Sequence, residues 1–218
     1  MRHVVWDWNG TLFDDLDVVV EAVNVSIAAY GADPIDVADY GRLFRRPLER
    51  FYERLLGRSI EGALMSEIDE RFQEAYRAGF EGAGLTLDAA DAVNAVTRAG
   101  ASQSVASMLW HDMLVPTVKK FGLDEPMLAL DGHRGAVGET KADHLTRHVN
   151  RLAELFPGLD RERMTVIGDI VDDAHAARAA GIACVLYDGG SQPREALEAE
   201  GFPVASTLVE AVGLAITP

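Results

Sequence analysis

The chain has 218 residues, 48% of them hydrophobic, and a formal net charge of −15. That length and apolar content suffice for a sizeable core, read as one domain carrying an insertion. The acidic balance excludes sequence-independent nucleic-acid binding, which needs clustered Lys and Arg for phosphate contacts. No apolar run reaches the roughly 18 residues of a membrane span, and the opening Met1-Arg2-His3-Val4-Val5-Trp6-Asp7 turns acidic too soon for a signal peptide. Cys184, the single cysteine, lies in the apolar run Ile182–Leu186 and reads as a small buried hydrophobe in a reduced, cytoplasmic setting.

In chain order, residues 3–7 predict a buried strand running into an acidic turn, Asp7-Trp8-Asn9-Gly10-Thr11. A helical pattern starts near Asp15 and Asp17, carries Val18, Val19, Ala22, Val23, Ile27 and Tyr30, and stops at Gly31. A second helical set runs from Leu43 to Leu56 and a third from Ile60 to Tyr76, the latter with Leu64, Ile68, Phe72 and Tyr76 on one face. No strand is expected between about 15 and 83. After Gly84 the pattern alternates: a helix near 88–98, a strand at 103–107, a helix closing at Gly122, and a short strand and loop in 128–138. A helix from Lys141 to Leu155 follows, then a strand 164–168 ending at Asp169, a helix Asp173–Ala180 and a strand 182–187. A final helix and short strand complete the chain. This alternation predicts an α/β fold, a Rossmann-like doubly wound parallel sheet formed by residues 1–14 and 84–218, with residues 15–83 as an all-helical insert.

Two strands end in acids. If they are sheet neighbours, Asp7, Asp169 and Asp173 converge as hard oxygen ligands for a cation such as Mg²⁺, which would relieve the repulsion among them. An Asp after a strand is also an ordinary turn former, and Asp172 or Asp173 an ordinary helix cap. Capping does not explain Asp7 and Asp169 together.

With these residues in view, the chain resembles the haloacid dehalogenase superfamily of phosphohydrolases, of the phosphoglycolate-phosphatase-like kind with a helical cap. Four motifs stand in the family's order: Asp7-Trp8-Asn9-Gly10-Thr11-Leu12, Ser107 at the end of Ser104-Val105-Ala106-Ser107, Lys141 opening a helix, and Gly168-Asp169-Ile170-Val171-Asp172-Asp173. The resemblance implies that Asp7 is the nucleophile and forms an aspartyl-phosphate. It implies that Mg²⁺ is held by Asp7, the Asn9 carbonyl, Asp169 and Asp173. Ser107, Lys141, Thr11 and the backbone N–H groups around Gly10 would bind phosphoryl oxygens. The substrate would be a small phosphorylated metabolite, and the protein a monomer or homodimer.

One residue departs from the pattern. Where the family's phosphatases carry an Asp that protonates the leaving group, this chain has Asn9, and an amide exchanges no proton at neutral pH. Loss of such help typically costs about 10²–10⁴-fold in rate. Three readings follow, in order of preference. The enzyme acts on good leaving groups or borrows an acid from Asp14, Asp15 or the insert; it runs another chemistry of the superfamily (phosphotransfer, C–halogen or C–P cleavage); or Asn9 is an introduced substitution. A catalytically weakened phosphate-binding or regulatory protein is the rival class.

The insert resembles the family's cap, which closes over the site and selects substrates. It carries Arg42, Arg45, Arg46, Arg50 and Arg54. Arg50 and Arg54 read as a solvated helix face beside Glu49 and Glu53. Arg45 and Arg46, at the turn before the helix, are the candidates for a second anionic group of the substrate. His111 and His133 carry little weight as cleft residues.

Overall fold

A computed structural model describes residues 1–135 and 138–217, so part of the loop expected within 128–138 lies outside the described residues. The elements in order are β1 (His3–Trp6), β2 (Phe13–Asp14), α1 (Leu16–Ala28), α2 (Val37–Leu43), α3 (Leu48–Leu56), α4 (Gly62–Gly79) and β3 (Gly84–Leu85). They continue as α5 (Ala89–Arg98), β4 (Ser102–Trp110), α6 (His111–Lys120), β5 (Met127–His133), α7 (Lys141–Leu155), β6 (Met164–Gly168), α8 (Val171–Ala180), β7 (Ala183–Tyr187), α9 (Arg194–Glu198), β8 (Val204–Ala205) and α10 (Leu208–Ile216). By contacts the chain divides into two compact units, Met1–Phe13 with Leu85–Pro218, and Asp14–Gly84. It passes between them at β2 and β3, which pair with each other.

The larger unit is built on a six-stranded sheet of order β5-β4-β1-β6-β7-β8, parallel throughout. This is the doubly wound α/β architecture expected from the alternation of strands and helices. β1, β6 and β7 are short apolar runs because both faces of a parallel sheet are covered, so neither can be polar. On one face Val5, Val166 and Cys184 pack with Leu145, Val149 and Leu152 of α7 and Ala174, Ala177 and Ala180 of α8. The Ala-rich side of α8 needs no long side chains because the helix lies close to the sheet, and Gly181, at φ 68°, ends it in a left-handed cap. On the other face α5 pins the β1–β4 pair: Trp6 Nε1 donates to Gln103 Oε1 at 2.9 Å, and Gln103 Nε2 donates to the Val93 carbonyl at 3.0 Å.

β1 lies at the centre, where the winding reverses. The chain builds β4 and β5 to one side, then crosses to build β6, β7 and β8 on the other. In open α/β sheets the carboxyl ends of strands at such a switch point form the ligand crevice. Here they belong to β4, β1 and β6.

The smaller unit is helical. α1 packs on α4, with Tyr76 Oη donating to the buried Asp15 carboxylate at 2.6 Å. Tyr40, Phe44, Phe51 and Tyr52 form an aromatic cluster. The helical stretch expected from Leu43 to Leu56 is in fact broken between α2 and α3. Pro47 disfavours helix at the residue before it, so Arg42 ends up on one helix and Arg50 and Arg54 on the next.

A second correction concerns the C-terminus. The last element is a helix and not a strand: Thr207 accepts from Glu210 N as a cap, and Leu208, Ala211, Val212 and Ala215 are buried at helical spacing. β4 also runs to Trp110, beyond the expected 103–107. Among the described residues no helix is long and apolar enough to cross a membrane.

Candidate functional site

The parallel register puts the chemistry-bearing residues together. β1 pairs with β4 as Trp6↔Val105 and with β6 as Trp6↔Ile167, so Asp7, Ser107 and Asp169 emerge at one sheet edge. Asp7 N donates to the Ile167 carbonyl at 2.9 Å, which carries the ladder one residue past the strand. The chain then turns sharply, with Gly10 N donating to the Phe13 carbonyl and both Thr11 N and Phe13 N to the Trp8 carbonyl. Gly10 has φ 71°, and a Cβ there would collide with the Asp169 carboxylate. A Cβ at Gly168 would collide with Asp173. These two glycines let the acids lie against backbone.

Asp7, Asp169 and Asp173 are all buried, and each offers a carboxylate oxygen within 4.8 Å of the other two. Lys141, the first residue of α7, reaches into this cluster. Its Nζ lies 2.8 Å from Asp7 Oδ2 and 2.8 Å from Asp173 Oδ1. Thr140 and Asp143 hold the helix start in a reciprocal capping box, Thr140 Oγ1 accepting from Asp143 N at 3.1 Å and Asp143 Oδ2 from Thr140 N at 3.0 Å. A lysine is out of place in a helix's first turn by its dipole; here two carboxylates outweigh that. Asp173 also caps α8, Oδ2 accepting from Ile170 N at 3.2 Å, so the capping and cluster readings both hold for this residue.

One ammonium does not balance three carboxylates. Burial, and then Asp173 and Asp169, push the Asp7 carboxyl up to about 7 despite Lys141. Burial and Asp173 push Asp169 up to about 6, against hydrogen bonds from Ser191. Burial alone would lower the Lys141 ammonium, but Asp173 and Asp7 hold it well above the usual lysine range. The cluster has an excess of buried negative charge and hard oxygen donors only, which fits a small divalent cation.

The other expected residues fall as follows. The Ser107 hydroxyl donates to Asn9 Oδ1 at 3.3 Å and accepts from Leu109 N at 3.0 Å. The Thr11 hydroxyl donates to Asp169 Oδ1 at 3.1 Å. Arg45 and Arg46 belong to the helical unit, where they line an open groove of about 640 Å³ with Arg50, Glu53 and Arg54; Arg50 pairs with Glu53 at 3.1 Å. His111 accepts from Gly132 N at 3.2 Å, and His133 lies 2.9 Å from Glu139. Asp15, one of the acids considered as a replacement for the missing proton donor, is occupied by Tyr76, and Asp14 is exposed.

A family model for haloacid dehalogenase-like hydrolases matches residues 1–181. The chain belongs to the haloacid dehalogenase-like hydrolases. It is 26% identical over 183 residues to a phosphoglycolate phosphatase of Agrobacterium fabrum, covering 82% of this chain and 76% of that one. It is 26% identical over 208 residues to a phosphoglycolate phosphatase of Mesorhizobium japonicum, covering 93% and 89%. The fold is similar to that of a haloacid dehalogenase-like family protein from Streptococcus pneumoniae, with a TM-score of 0.82 at 18% identity over 98% of each chain.

In this haloacid dehalogenase-like hydrolase the loop after β7 adds Ser191 and Gln192, which no motif in the sequence marks. Ser191 gives Asp169 Oδ2 both its backbone N–H, at 2.8 Å, and its hydroxyl. Gln192 Oε1 accepts from Val171 N at 2.7 Å at the start of α8. The available signal was positional: Gly189-Gly190-Ser191 follows a strand next to β6, where any loop meets the acidic turn.

Proposed function

We propose that the protein is a phosphatase for a small phosphorylated metabolite, with Asp7 as nucleophile. The observation that carries this is the triad of buried carboxylates facing one lysine at the switch point of the sheet. The two phosphoglycolate phosphatase relatives support the substrate class. An Asp7 oxygen attacks phosphorus, the bond to the leaving oxygen breaks, and an aspartyl-phosphate forms; water then displaces the carboxylate and releases phosphate. Asp7, Asp169, Asp173 and the Asn9 carbonyl would hold Mg²⁺, which when bound supplies charge neutralisation between carboxylate and phosphate. Lys141, Ser107, Thr11 and the turn around Gly10 bind and orient the phosphoryl oxygens.

Asn9 offers the leaving group an amide and no transferable proton. Substrates with leaving groups that depart unprotonated, such as acyl or aryl phosphates, are therefore preferred. The helical unit, residues 15–83, is the cap that selects the substrate, and residues 1–14 and 84–218 are the core. Arg45 and Arg46 bind a second anionic group. We read the protein as cytoplasmic, which its one free cysteine, buried in β7, supports. The test is phosphate release with and without Mg²⁺ from a panel of aryl, acyl and alkyl phosphates by wild type, Asp7→Asn and Asn9→Asp. No Mg²⁺-dependent release by wild type or Asn9→Asp on any substrate overturns the reading.

A further inference from the structure

Behind the acidic cluster, in the same unit, a line of buried polar side chains crosses the core. His3 Nδ1 lies 2.8 Å from Ser102 Oγ, and His3 Nε2 lies 2.9 Å from Ser104 Oγ. Ser104 Oγ lies 2.8 Å from His148 Nε2, and His148 Nδ1 lies 3.4 Å from Asp131 Oδ2. His3, Ser104, His148 and Asp131 are each at most 2% exposed. Asp131 also takes Arg134 on its other oxygen, and its carbonyl lies 3.0 Å from His144 Nε2.

Proton inventory gives this line one direction. Burial works against the Asp131 carboxylate, but His148, Arg134 and His144 outweigh it and hold the group well below the usual carboxylate range, so it only accepts. Burial lowers both His148 and His3, the latter to about 3, so both rings are neutral. His148 therefore donates from Nδ1 to Asp131 and accepts at Nε2 from Ser104. The Ser104 hydrogen being used, His3 must donate to Ser104 from Nε2 and accept at Nδ1. That last proton comes from Ser102, whose alternative acceptor, the Arg2 carbonyl, is farther at 3.4 Å. The two histidines are held in opposite tautomers.

The line joins the elements that deliver the site. His3 is on β1, four residues before Asp7; Ser104 is on β4, three before Ser107; His148 is on α7, seven after Lys141; Asp131 is on β5. His144, one helical turn after Lys141, lines a cavity of about 10 Å³ together with Lys141, Ser107 and Asp173. A slip of β4 by one residue would turn Ser104 to the other face and strand two buried histidines without their partners, and a buried polar group left unpaired is destabilising.

We propose that His3, Ser104, His148 and Asp131 are positioning residues. The polar line locks β1, β4, β5 and α7 in one register and so fixes where Asp7, Ser107 and Lys141 stand. As far as turnover is concerned, this rests on the phosphatase reading above. Three measurements test it.

On wild-type protein, long-range ¹H–¹⁵N correlation spectra should show His3 as the Nε2–H and His148 as the Nδ1–H tautomer. Equal tautomers, or either ring averaging as in a free histidine, overturn the inference. In Ser104→Ala, exchange of the amides in the first two turns of α7 should accelerate at least about tenfold while α10 amides stay unchanged. With Mg²⁺ and an aryl phosphate, kcat should fall about 10–100-fold at a KM within twofold, and Ser104→Thr, which restores the hydroxyl, should recover most of both effects. Exchange and kcat both within twofold of wild type in Ser104→Ala overturn it. If Ser104→Ala does not fold, His148→Gln, which removes the ring that holds Ser104 and Asp131 at once, is read by the same two assays and the same thresholds. A wild type without turnover overturns the phosphatase reading only; the tautomers and the exchange rates still decide this one.

Discussion

Asp7, just past the end of β1, and Asp131, in the last half of β5, belong to one sheet and are both buried, and their electrostatics are opposite. Asp7 shares one lysine with Asp169 and Asp173, and its carboxyl is pushed up to about 7 by burial and like charge. Asp131 has Arg134, His148 and His144 around it and is held well below its ordinary value. A structural carboxylate is surrounded until its charge is satisfied. On the proposed phosphatase reading, a group that is to meet a cation and a phosphate is left in deficit, and the fold bears the cost until they bind.

Substituting each acid by its amide breaks this comparison most sharply. Asp7→Asn should lower Mg²⁺-dependent phosphate release by at least about 10³-fold. It should also raise metal-free stability near pH 8 by on the order of 1–3 kcal/mol, since it removes a like charge from the cluster. Asp131→Asn should do the reverse to stability, costing about 1–3 kcal/mol because the amide is a weaker acceptor for the buried His148 ring and leaves Arg134 without its counter-charge. Urea denaturation of the two variants beside wild type checks both signs. Two shifts in the same direction would sink the contrast.

Next in size is the proton-transfer deficit. Asn9→Asp should speed release from alkyl phosphates by about 10²-fold and change aryl phosphates far less, measured as the slope of log kcat against leaving-group pKa. A slope unchanged by the substitution would mean that the residue at this position does not act on the leaving group.

The pH dependence of stability carries both signs at once. The Asp7 and Asp169 carboxyls are raised in the fold, so their stabilising contribution is complete below the unfolded value near 4 and is lost as pH rises through about 6 to 7. Mg²⁺ should accordingly raise Tm more at pH 7.5 than at pH 5.5. His3, His148 and His144 are lowered by burial, so their contribution is present above about 6.5 and is lost as pH falls below it, by roughly 1–2 kcal/mol at pH 5 for His3. In metal-free thermal scans from pH 5 to 8 these two trends oppose each other, and Ser104→Ala should flatten only the acid side.

The smallest effect belongs to the helical unit. Arg46→Ala should raise KM about tenfold for a substrate with two anionic groups and leave a singly charged aryl phosphate within twofold, whereas Arg54→Ala should do neither. Equal KM effects on both substrates would remove Arg46 from recognition.

Most of the acid site was legible because it is written in short motifs at strand ends. Asp7, Asp169, Asp173 and Lys141 each follow or open an element whose hydrophobic period is clear. The polar line was not legible, because His3, Ser104, Asp131 and His148 are ordinary residues far apart in the chain, brought together only by strand order and register. Ser191 was not legible for the same reason: its partner, Asp169, comes from a different loop. The break at Arg46-Pro47 was legible as a turn before the helix, although the apolar spacing on either side carried the helical set across it from Leu43 to Leu56.

Local physics therefore determined the element types, the acidic turns and the helical insert, since periodicity, glycines and caps act within a few residues. Only the tertiary structure decided what each polar group faces. That outcome depends on strand order and parallel register, which bring three carboxylates to one lysine at Asp7 near the centre of the sheet and one carboxylate to an arginine and two histidines at Asp131 on its edge strand.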